Sequence, residues 1–310
     1  MSNGYGYFGP EGTFTHQALL RVPNLPAELI PYATVPACLD AVRSGAVAAG
    51  LVPIENSVEG GVSATLDNLA TGTSLTITRE VLLPVQFGLY GRPGTTLGQV
   101  RRILTHPHAA AQTRDWLAEH LPGVEITEGP STAGAAAEVA DPASAWQAAV
   151  CNETAATLYR LELLAGDIAD NPDAVTRFVL VTRRGMPPAP TGADKTTLVL
   201  FQRDNHAGAL REILDQFGSR GVNLSRLESR PTKTTLGSYC FSVDADGHVA
   251  DARLAEALMG LHRICRDVVF LGSYPRADAG RGADVPRRGT TNADYAEARA
   301  WLESLTTPPR

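Results

Sequence analysis

Short apolar runs alternate with amphipathic or Ala-rich stretches over the first 184 residues. The short runs are typical of strands, whereas the longer stretches repeat their apolar positions with helical spacing. This alternation predicts an α/β fold with a mainly parallel sheet whose ligands bind at strand ends. We predict strands at residues 5–8, 47–52, 81–90, 100–104, 124–127, 148–151 and 176–182, and helices at 13–21, 35–43, 109–120, 132–140 and 152–163.

A proline-rich linker at residues 185–194 separates this first domain, residues 1–184, from a second domain at 195–275. In the second domain the pattern predicts the order βαββαβ, which is that of a ferredoxin-like fold. Its predicted strands cover residues 196–202, 222–230, 238–243 and 268–271, with helices at 207–219 and 254–261 and a turn containing Pro231 and Gly237.

The remaining tail, residues 276–310, is rich in Arg, Ala, Asp and Gly. We expect it to be flexible, apart from a short helix near residues 294–305.

Composition changes this picture mainly by exclusion. Lys and Arg total 27 against 33 Asp and Glu, a formal net charge of −6, which argues against a nucleic-acid-binding protein. Every apolar run is shorter than the roughly 18 residues of a membrane-spanning helix, and no secretory signal is visible at the start. Four cysteines lie far apart in the sequence, without a disulfide or zinc pattern. We therefore expect a soluble, cytoplasmic protein that has no membrane partner and binds no metal.

Three polar segments at predicted strand ends could carry chemistry. Residues 9–16 form a glycine-containing turn before a helix, where free N–H groups favour an anion. Residues 53–62 follow a buried strand and offer the amide of Asn56 and the hydroxyl of Ser57, while Glu59 is interpreted as a solvated surface charge. In residues 176–178, an arginine could pair with a carboxylate and a phenylalanine could stack on a ring.

Together these segments resemble the signatures of the prephenate dehydratase family. The signatures are Gly-Pro-x-Gly-Thr-Phe-Thr at residues 9–15, Pro-Ile-Glu-Asn-Ser-x-x-Gly at 53–60 and Thr-Arg-Phe at 176–178. The second domain resembles the ACT regulatory domain of the same family, through Gly-Ala-Leu at 208–210 and Glu-Ser-Arg-Pro at 228–231. The resemblance covers about residues 4–275.

The resemblance implies a reaction without a cofactor: prephenate loses carbon dioxide and its ring hydroxyl to give phenylpyruvate, in the biosynthesis of phenylalanine. It also implies that the catalytic domain has two lobes around a cleft, similar to type 2 periplasmic binding proteins. The first lobe would combine residues 1–80 and 155–184, and the second would be residues 81–154.

The resemblance places Thr176, Phe178 and Asn56 at the catalytic site, and the residue chemistry adds Arg177 as a carboxylate ligand. A carboxyl or imidazole is a stronger acid than a hydroxyl, yet the resemblance favours Thr176 as donor to the leaving hydroxyl. The family run Ser-His-Pro-Gln reads Thr105-His106-Pro107-His108 here, so the glutamine amide is replaced by an imidazole. The expected substrate-binding residues are Thr13, Glu55, Ser57, Gly61, Thr105, His106, Gln112, Ser131 and Thr132. His106 and His108 could equally cap or hydrogen-bond the first turn of their helix.

In the second domain the resemblance implies that L-phenylalanine binds at an interface between two ACT domains and inhibits the enzyme. Such a site requires a homodimer or homotetramer. The expected effector residues are Asn205, Ala207, Gly208, Ala209, Leu210, Glu228, Ser229 and Arg230.

Two other functions remain open at the level of the sequence. An arogenate dehydratase would carry the same signatures and act on the amino-acid form of the substrate. A non-enzymatic amino-acid sensor would join a binding cleft to an ACT domain.

Overall fold

A computed structural model describes residues 3–232, 239–278 and 286–306. The chain divides into two compact units, which are Met1–Thr65 with Val81–Val179 and Leu66–Glu80 with Leu180–Arg310. The sequence placed Leu66–Glu80 in the first domain, but this segment belongs to the C-terminal unit. Its last residue explains why, because the Glu80 carboxylate accepts hydrogen bonds from Lys195 Nζ at 3.0 Å and from the backbone N–H of Ala277 at 2.9 Å.

The elements of the first 184 residues follow the predicted alternation. They are β1 (Tyr5–Phe8), α1 (Phe14–Leu19), β2 (Leu29–Tyr32), α2 (Val35–Ser44), β3 (Ala49–Asn56), β4 (Gly60–Gly61), α3 (Ser63–Ala70), β5 (Leu75–Pro84), β6 (Gly88–Gly91), β7 (Arg102–Thr105), α4 (Pro107–Gln112), α5 (Arg114–His120), β8 (Glu125–Glu128), α6 (Thr132–Ala140), β9 (Ala148–Cys151), α7 (Glu153–Leu158), β10 (Glu162–Ala165) and β11 (Val175–Arg183). Of these, β2, β4 and β10 were not predicted as strands. The strand predicted at 81–90 is divided into β5 and β6, which belong to different sheets.

These strands form two sheets rather than one. The first has the order β2-β1-β3-β11-β5, with β4 paired to β3, and β1 runs parallel to both of its neighbours. The second has the order β10-β6-β9-β7-β8. In it, β7 is parallel to β8 and β9, whereas β6 is antiparallel to β9 and β10. We call the first sheet with its helices the first lobe, and the second sheet with its helices the second lobe.

The boundary between the lobes differs from the one expected at residue 155. Strand β10 pairs with β6 at the edge of the second sheet, and Ala155 and Ala156 of α7 pack in the core of that lobe. The chain returns to the first sheet only at β11. The predicted helix at 152–163 also ends early, because Arg160 has a φ of 56° and turns the chain into β10.

Local capping explains why several of these helices begin where they do. The side chains of Thr34, Ser131 and Asn152 accept hydrogen bonds from backbone N–H groups in the first turns of α2, α6 and α7. Gly45, with a φ of 76°, ends α2 in the left-handed conformation that glycine tolerates best. The predicted helix at 109–120 is divided at Thr113 into α4 and α5.

The C-terminal unit confirms the predicted βαββαβ arrangement. Its sheet has the order β13-β14-β12-β15 with antiparallel pairing throughout, and α8 and α9 pack on a core that includes Phe217, Phe241 and Leu261. The elements are β12 (Asp194–Phe201), α8 (Ala209–Gly218), β13 (Leu224–Pro231), β14 (Tyr239–Asp246), α9 (Ala252–Ile264), β15 (Asp267–Pro275) and α10 (Asn292–Thr306).

The tail helix predicted near residues 294–305 lies within α10, which approaches α9 through a hydrogen bond from Ala252 N to the Asn292 side chain at 2.8 Å. The predicted turn residue Gly237 and the strand start at Ser238 lie outside the described residues, as do residues 279–285 and 307–310 of the tail. No helix in the described ranges is long and apolar enough to cross a membrane.

Candidate active site

A cleft of about 700 Å³ opens at the strand ends of the two lobes, and all the residues that line it belong to the first compact unit. The volume suits a small ring-containing ligand. The first lobe contributes the end of β1, the end of β3 and the start of β11. The second lobe contributes the segments that follow β7 and β8, together with the linker that leads into β6.

Two of the expected catalytic residues meet in this cleft. Asn56, at the end of β3, donates a hydrogen bond from Nδ2 to Thr176 Oγ1 at 2.8 Å. The Asn56 Oδ1 accepts hydrogen bonds from the backbone N–H groups of Val58 at 2.8 Å and Glu59 at 3.2 Å, which fixes the orientation of the amide. Because Oγ1 accepts from Asn56, the hydroxyl hydrogen of Thr176 can be donated to a ligand in the cleft.

Arg177 does not have the role that the sequence suggested. Successive residues of a strand point to opposite faces, so Thr176 and Phe178 line the cleft while Arg177 points away from it. The Arg177 side chain is 6% exposed and forms an ion pair with Glu55, with Nη1 and Oε2 3.3 Å apart. Arg177 and Glu55 are therefore paired with each other, and neither lines the cleft.

The cleft consequently lacks the arginine that we expected to bind a carboxylate of the substrate. Of the described residues that line it, none is Lys or Arg. Helix α6 begins at its wall, where Ser131 accepts a hydrogen bond from Gly134 N at 2.9 Å and Thr132 is the first helical residue. The remaining free N–H groups of that first turn favour an anion in the cleft.

Two histidines supply the imidazole groups of the cleft. His106 caps α4, with Nδ1 accepting a hydrogen bond from His108 N at 3.3 Å. Burial lowers the pKa of His106, and the neighbouring His108 lowers it further, against opposing effects of Glu59 and Glu128. His106 is therefore neutral near pH 7, and its Nε2 carries the hydrogen because Nδ1 is an acceptor.

Glu59 is exposed, as the sequence suggested, but it also lines the cleft. Its Oε1 lies 2.8 Å from Nδ1 of His108. Since Glu59 follows β3 and His108 belongs to α4, the contact joins the two lobes. The sequence contained no signal for this pair, because 48 residues lie between Glu59 and His108 in the chain.

The other expected substrate-binding residues divide into two groups. Besides those already described, Thr13 and Gln112 line the cleft. Thr105 is fully buried and donates its hydroxyl to Val150 O at 2.8 Å, so it holds the second sheet together. Ser57 accepts from Val175 N at 3.0 Å, and Gly61 pairs with Glu55 in the β3–β4 ladder. Neither of these two lines the cleft.

Aromatic residues that the sequence analysis did not single out form much of the apolar wall. Phe14 and Phe87 make an edge-to-face contact with ring centroids 5.4 Å apart, and both line the cleft with Tyr32 and Phe178. Phe14 belongs to the first signature and follows Thr13, and this was the available sequence signal for its place in the cleft. These rings provide surfaces on which a substrate ring can pack.

The residues expected to bind an effector lie in the C-terminal unit. Gly208 precedes α8 with a φ of 96°, and Leu210 is 36% exposed on its first turn. Ala209 lines a nearby pocket of about 300 Å³ together with polar and charged side chains, whereas Asn205, Ala207, Gly208 and Leu210 do not line it.

The second expected effector group lies on β13. Arg230 forms hydrogen bonds from Nε and Nη2 to Asp67 Oδ1, at 3.2 and 2.9 Å, and is 3.3 Å from Glu228. Both partners belong to the C-terminal unit, and Asp67 lies on α3, whose first residues belong to the other unit. Ser229 is exposed on the same strand.

Comparison with known proteins identifies the family. The model of the family described as prephenate dehydratase matches residues 5–186. A prephenate dehydratase of Amycolatopsis methanolica is 45% identical over 300 residues, which is 96% of each chain. One of Mycobacterium leprae is 49% identical over 308 residues, covering 96% of this chain and 93% of the relative.

Solved structures agree with the sequence matches. A prephenate dehydratase from Arthrobacter aurescens, crystallised in complex with L-Phe, has a TM-score of 0.93 and 52% identity over 98% of this chain and 99% of its own. A protein described as a novel type of quorum-quenching acylase has a TM-score of 0.80 and 32% identity, over 89% of this chain and 99% of its own. On its sequence, its family match and its fold, this chain belongs to the prephenate dehydratase family of hydro-lyases.

Proposed function

We propose that this chain converts prephenate to phenylpyruvate, carbon dioxide and water, a step in the biosynthesis of phenylalanine. The observation that carries the proposal is the hydrogen bond from Asn56 to Thr176, which leaves a hydroxyl donor directed into an aromatic-lined cleft. Family membership and the names of the relatives support the same reaction.

The reaction breaks two bonds of the substrate ring. The ring carboxylate leaves as carbon dioxide, and the electron pair of the broken carbon–carbon bond enters the ring. The carbon–oxygen bond then breaks, and the departing hydroxide takes up a proton that originates in solvent to become water. Formation of the aromatic ring makes the sequence strongly favourable, so a fixed hydrogen-bond donor can lower the barrier without transferring its own proton.

In this proposal Thr176 donates its hydroxyl hydrogen to the departing oxygen, and Asn56 holds Thr176 in place. Phe178 and the pair Phe14 and Phe87 pack against the substrate ring. A carboxylate of the substrate is bound by N–H groups at the start of α6 and by the Nε2–H of neutral His106.

The structure also bears on the competing functions. Hydrolysis of an amide, as the acylase name implies for that relative, needs a base that activates a nucleophile. The side-chain partner of Thr176 among the described contacts is the amide of Asn56, and an amide is not a base. Prephenate therefore fits the site better than an acylated amine, while arogenate and a purely sensory role remain alternatives for experiment.

We further propose that the C-terminal unit is an ACT regulatory domain that binds L-phenylalanine near the start of α8 and lowers the activity. The first turn of α8 has no side-chain cap, so its N–H groups suit the carboxylate of an amino acid, and the exposed Leu210 suits its apolar side chain. The complex of the Arthrobacter aurescens relative with L-Phe supports this assignment. We expect the enzyme to act in the cytoplasm as a homodimer or homotetramer.

One assay tests the proposal and its alternatives. Purified protein is given prephenate or arogenate, with and without L-phenylalanine, and the keto-acid and amino-acid products are followed separately. We expect phenylpyruvate from prephenate and a lower rate with L-phenylalanine. Phenylalanine formed faster from arogenate would indicate an arogenate dehydratase, and no product from either substrate would favour the sensor.

A further inference from the structure

Glu59 and His108 form an ion pair between the two lobes at the solvent-facing edge of the cleft. Glu59 follows β3 of the first sheet, and His108 lies in the first turn of α4 in the second lobe. Their side chains are 41% and 61% exposed, and Oε1 and Nδ1 are 2.8 Å apart. Both residues line the cleft and lie within one compact unit. The pair thus joins the lobes on the side from which a ligand enters.

Each partner is connected to residues deeper in the cleft. The backbone N–H of Glu59 donates to Asn56 Oδ1 at 3.2 Å, and the other end of that amide donates to Thr176. The backbone N–H of His108 donates to His106, and the two rings make an edge-to-face contact with centroids 4.9 Å apart. A displacement of Glu59 would therefore move the amide that orients Thr176.

The charge in the cleft gives the pair a second consequence. The proposed substrate, prephenate, is a dianion. It is repelled by the Glu59 carboxylate unless a cation neutralises that carboxylate. Of the described lining residues, His106 and His108 are the side chains able to become cationic, and the lowered pKa of His106 keeps that ring neutral. His108 is then the lining side chain placed to offset this carboxylate, because its Nδ1 is already in contact with Glu59.

We propose that His108 and Glu59 form a latch that holds the lobes closed over the bound dianion. In the closed state the imidazole of His108 holds the Glu59 carboxylate, and the fixed Glu59 loop holds Asn56 against Thr176. His108 and Glu59 are thus positioning residues rather than catalytic ones. The inference rests on the proposed function for the identity of the substrate, but the contact between the lobes does not depend on it.

The first experiment compares wild type with H108Q, E59Q and the double variant, using prephenate as substrate. H108Q places the amide of the related Ser-His-Pro-Gln run at this position. We expect H108Q, which leaves the Glu59 carboxylate in the cleft without its partner, to raise KM about two- to five-fold with little change in kcat, because a partly exposed pair contributes modestly. E59Q also breaks the contact but removes the repulsion, so it should raise KM less than H108Q, and the double variant should be no worse than H108Q.

A matched control is H120Q, since His120 on α5 lies 4.0 Å from Glu119 and does not line the cleft. It should leave KM unchanged. Equal KM values for wild type and both single variants would overturn the latch, as would additive effects in the double variant.

Hydrogen–deuterium exchange of the free protein gives a readout that does not require turnover. We expect H108Q and E59Q to accelerate exchange of the Val58 and Glu59 amides, which donate to Asn56, whereas H120Q should not. Unchanged exchange in both variants would overturn the latch even if the wild type were inactive. A wild type that forms no phenylpyruvate but shows the expected exchange pattern would instead overturn the proposed reaction and leave the latch supported.

Discussion

Two buried strand threonines in different parts of the molecule show how the same side chain serves opposite purposes. Thr176 on β11 has one side-chain partner in the described structure, Asn56, and its hydroxyl hydrogen is directed to a cleft. Thr197 on β12 shares its hydroxyl between Asp244 at 2.7 Å and Tyr274 at 2.5 Å. The first hydroxyl retains a donor for a ligand, whereas the second is committed to the protein.

The surrounding charges follow the same division. In the C-terminal sheet, Arg226 donates to Asp244 at 2.9 and 3.2 Å and to Ser242 at 2.9 Å, and all three side chains are buried. This network is buried within the sheet and fixes the pairing of β13 with β14. In the cleft, the pair Glu59 and His108 is exposed and connects the two lobes that line the cleft.

The largest expected effect is on catalysis at Thr176. Replacing it with alanine removes the donor to the departing oxygen, and we expect kcat for prephenate to fall by roughly 10²- to 10³-fold, the usual range for such a donor. Thr176→Ser should retain most of the activity. Steady-state rates at saturating prephenate measure both variants. If Thr176→Ala had near wild-type turnover, Thr176 would have no role in the mechanism, and its hydroxyl would not differ in function from that of Thr197.

The next effect is on stability in the C-terminal sheet. Asp244→Ala removes the carboxylate to which the buried Arg226 donates hydrogen bonds, leaving Glu228 at 3.7 Å, and should reduce the free energy of unfolding by about 3 kcal/mol. Urea denaturation measures the change, with Asp267→Ala at the exposed start of β15 as the control. A loss no larger than that of the control would show that the network is not the structural element that the comparison assumes.

The response to L-phenylalanine tests whether the C-terminal unit also contains an exposed site of its own. Leu210→Ala removes apolar surface at the start of α8, and burial of such a side chain contributes roughly 1.5–3 kcal/mol. We expect the inhibitory concentration of L-phenylalanine to rise by about ten-fold or more with kcat unchanged, as follows from that contribution. An unaltered dose response would move the effector site away from Leu210. Leu227→Ala, on the exposed surface of β13, is the matched control.

The smallest expected effect is the contribution of His16, which stacks on Tyr7 of β1, to the pH dependence of stability. His16 Nδ1 accepts a hydrogen bond from Gly12 N at 3.2 Å, and its ring stacks on Tyr7. Burial lowers the pKa of His16, against an opposing effect of Glu11. The unfolded chain then binds the proton more readily, so stability should fall as pH drops below the ordinary imidazole value of about 6.5 and level off below the lowered pKa.

Thermal melting of wild type and His16→Gln between pH 5 and pH 7.5 measures this effect. The variant should lose part of the pH dependence, while His120→Gln should keep it. A wild-type profile that is equally steep in His16→Gln would assign the dependence to other groups, of which His106, with a pKa lowered in the same direction, is the first candidate.

Several features of the fold follow from local sequence. Helix α6 was predicted with its observed bounds, because an Ala-rich stretch follows a serine that can cap it. The βαββαβ order of the C-terminal unit was also confirmed, because each of its elements is defined by the spacing of its own apolar residues. The assignment of β10 to the first lobe was wrong, because a short apolar strand carries no local mark of the sheet it joins.

At the cleft, the sequence by itself determined that Asn56 and Thr176 lie at strand ends, but it could not determine which strand faces are turned toward each other. The period of two along β11 separates Arg177 from its neighbours, and only the packing of the two sheets decided that the cleft lies on the side of Thr176 and Phe178. The contact of Glu59 with His108 was decided in the same way. Both depend on residues brought together from distant parts of the chain, whereas capping, periodicity and turn chemistry act between residues a few positions apart.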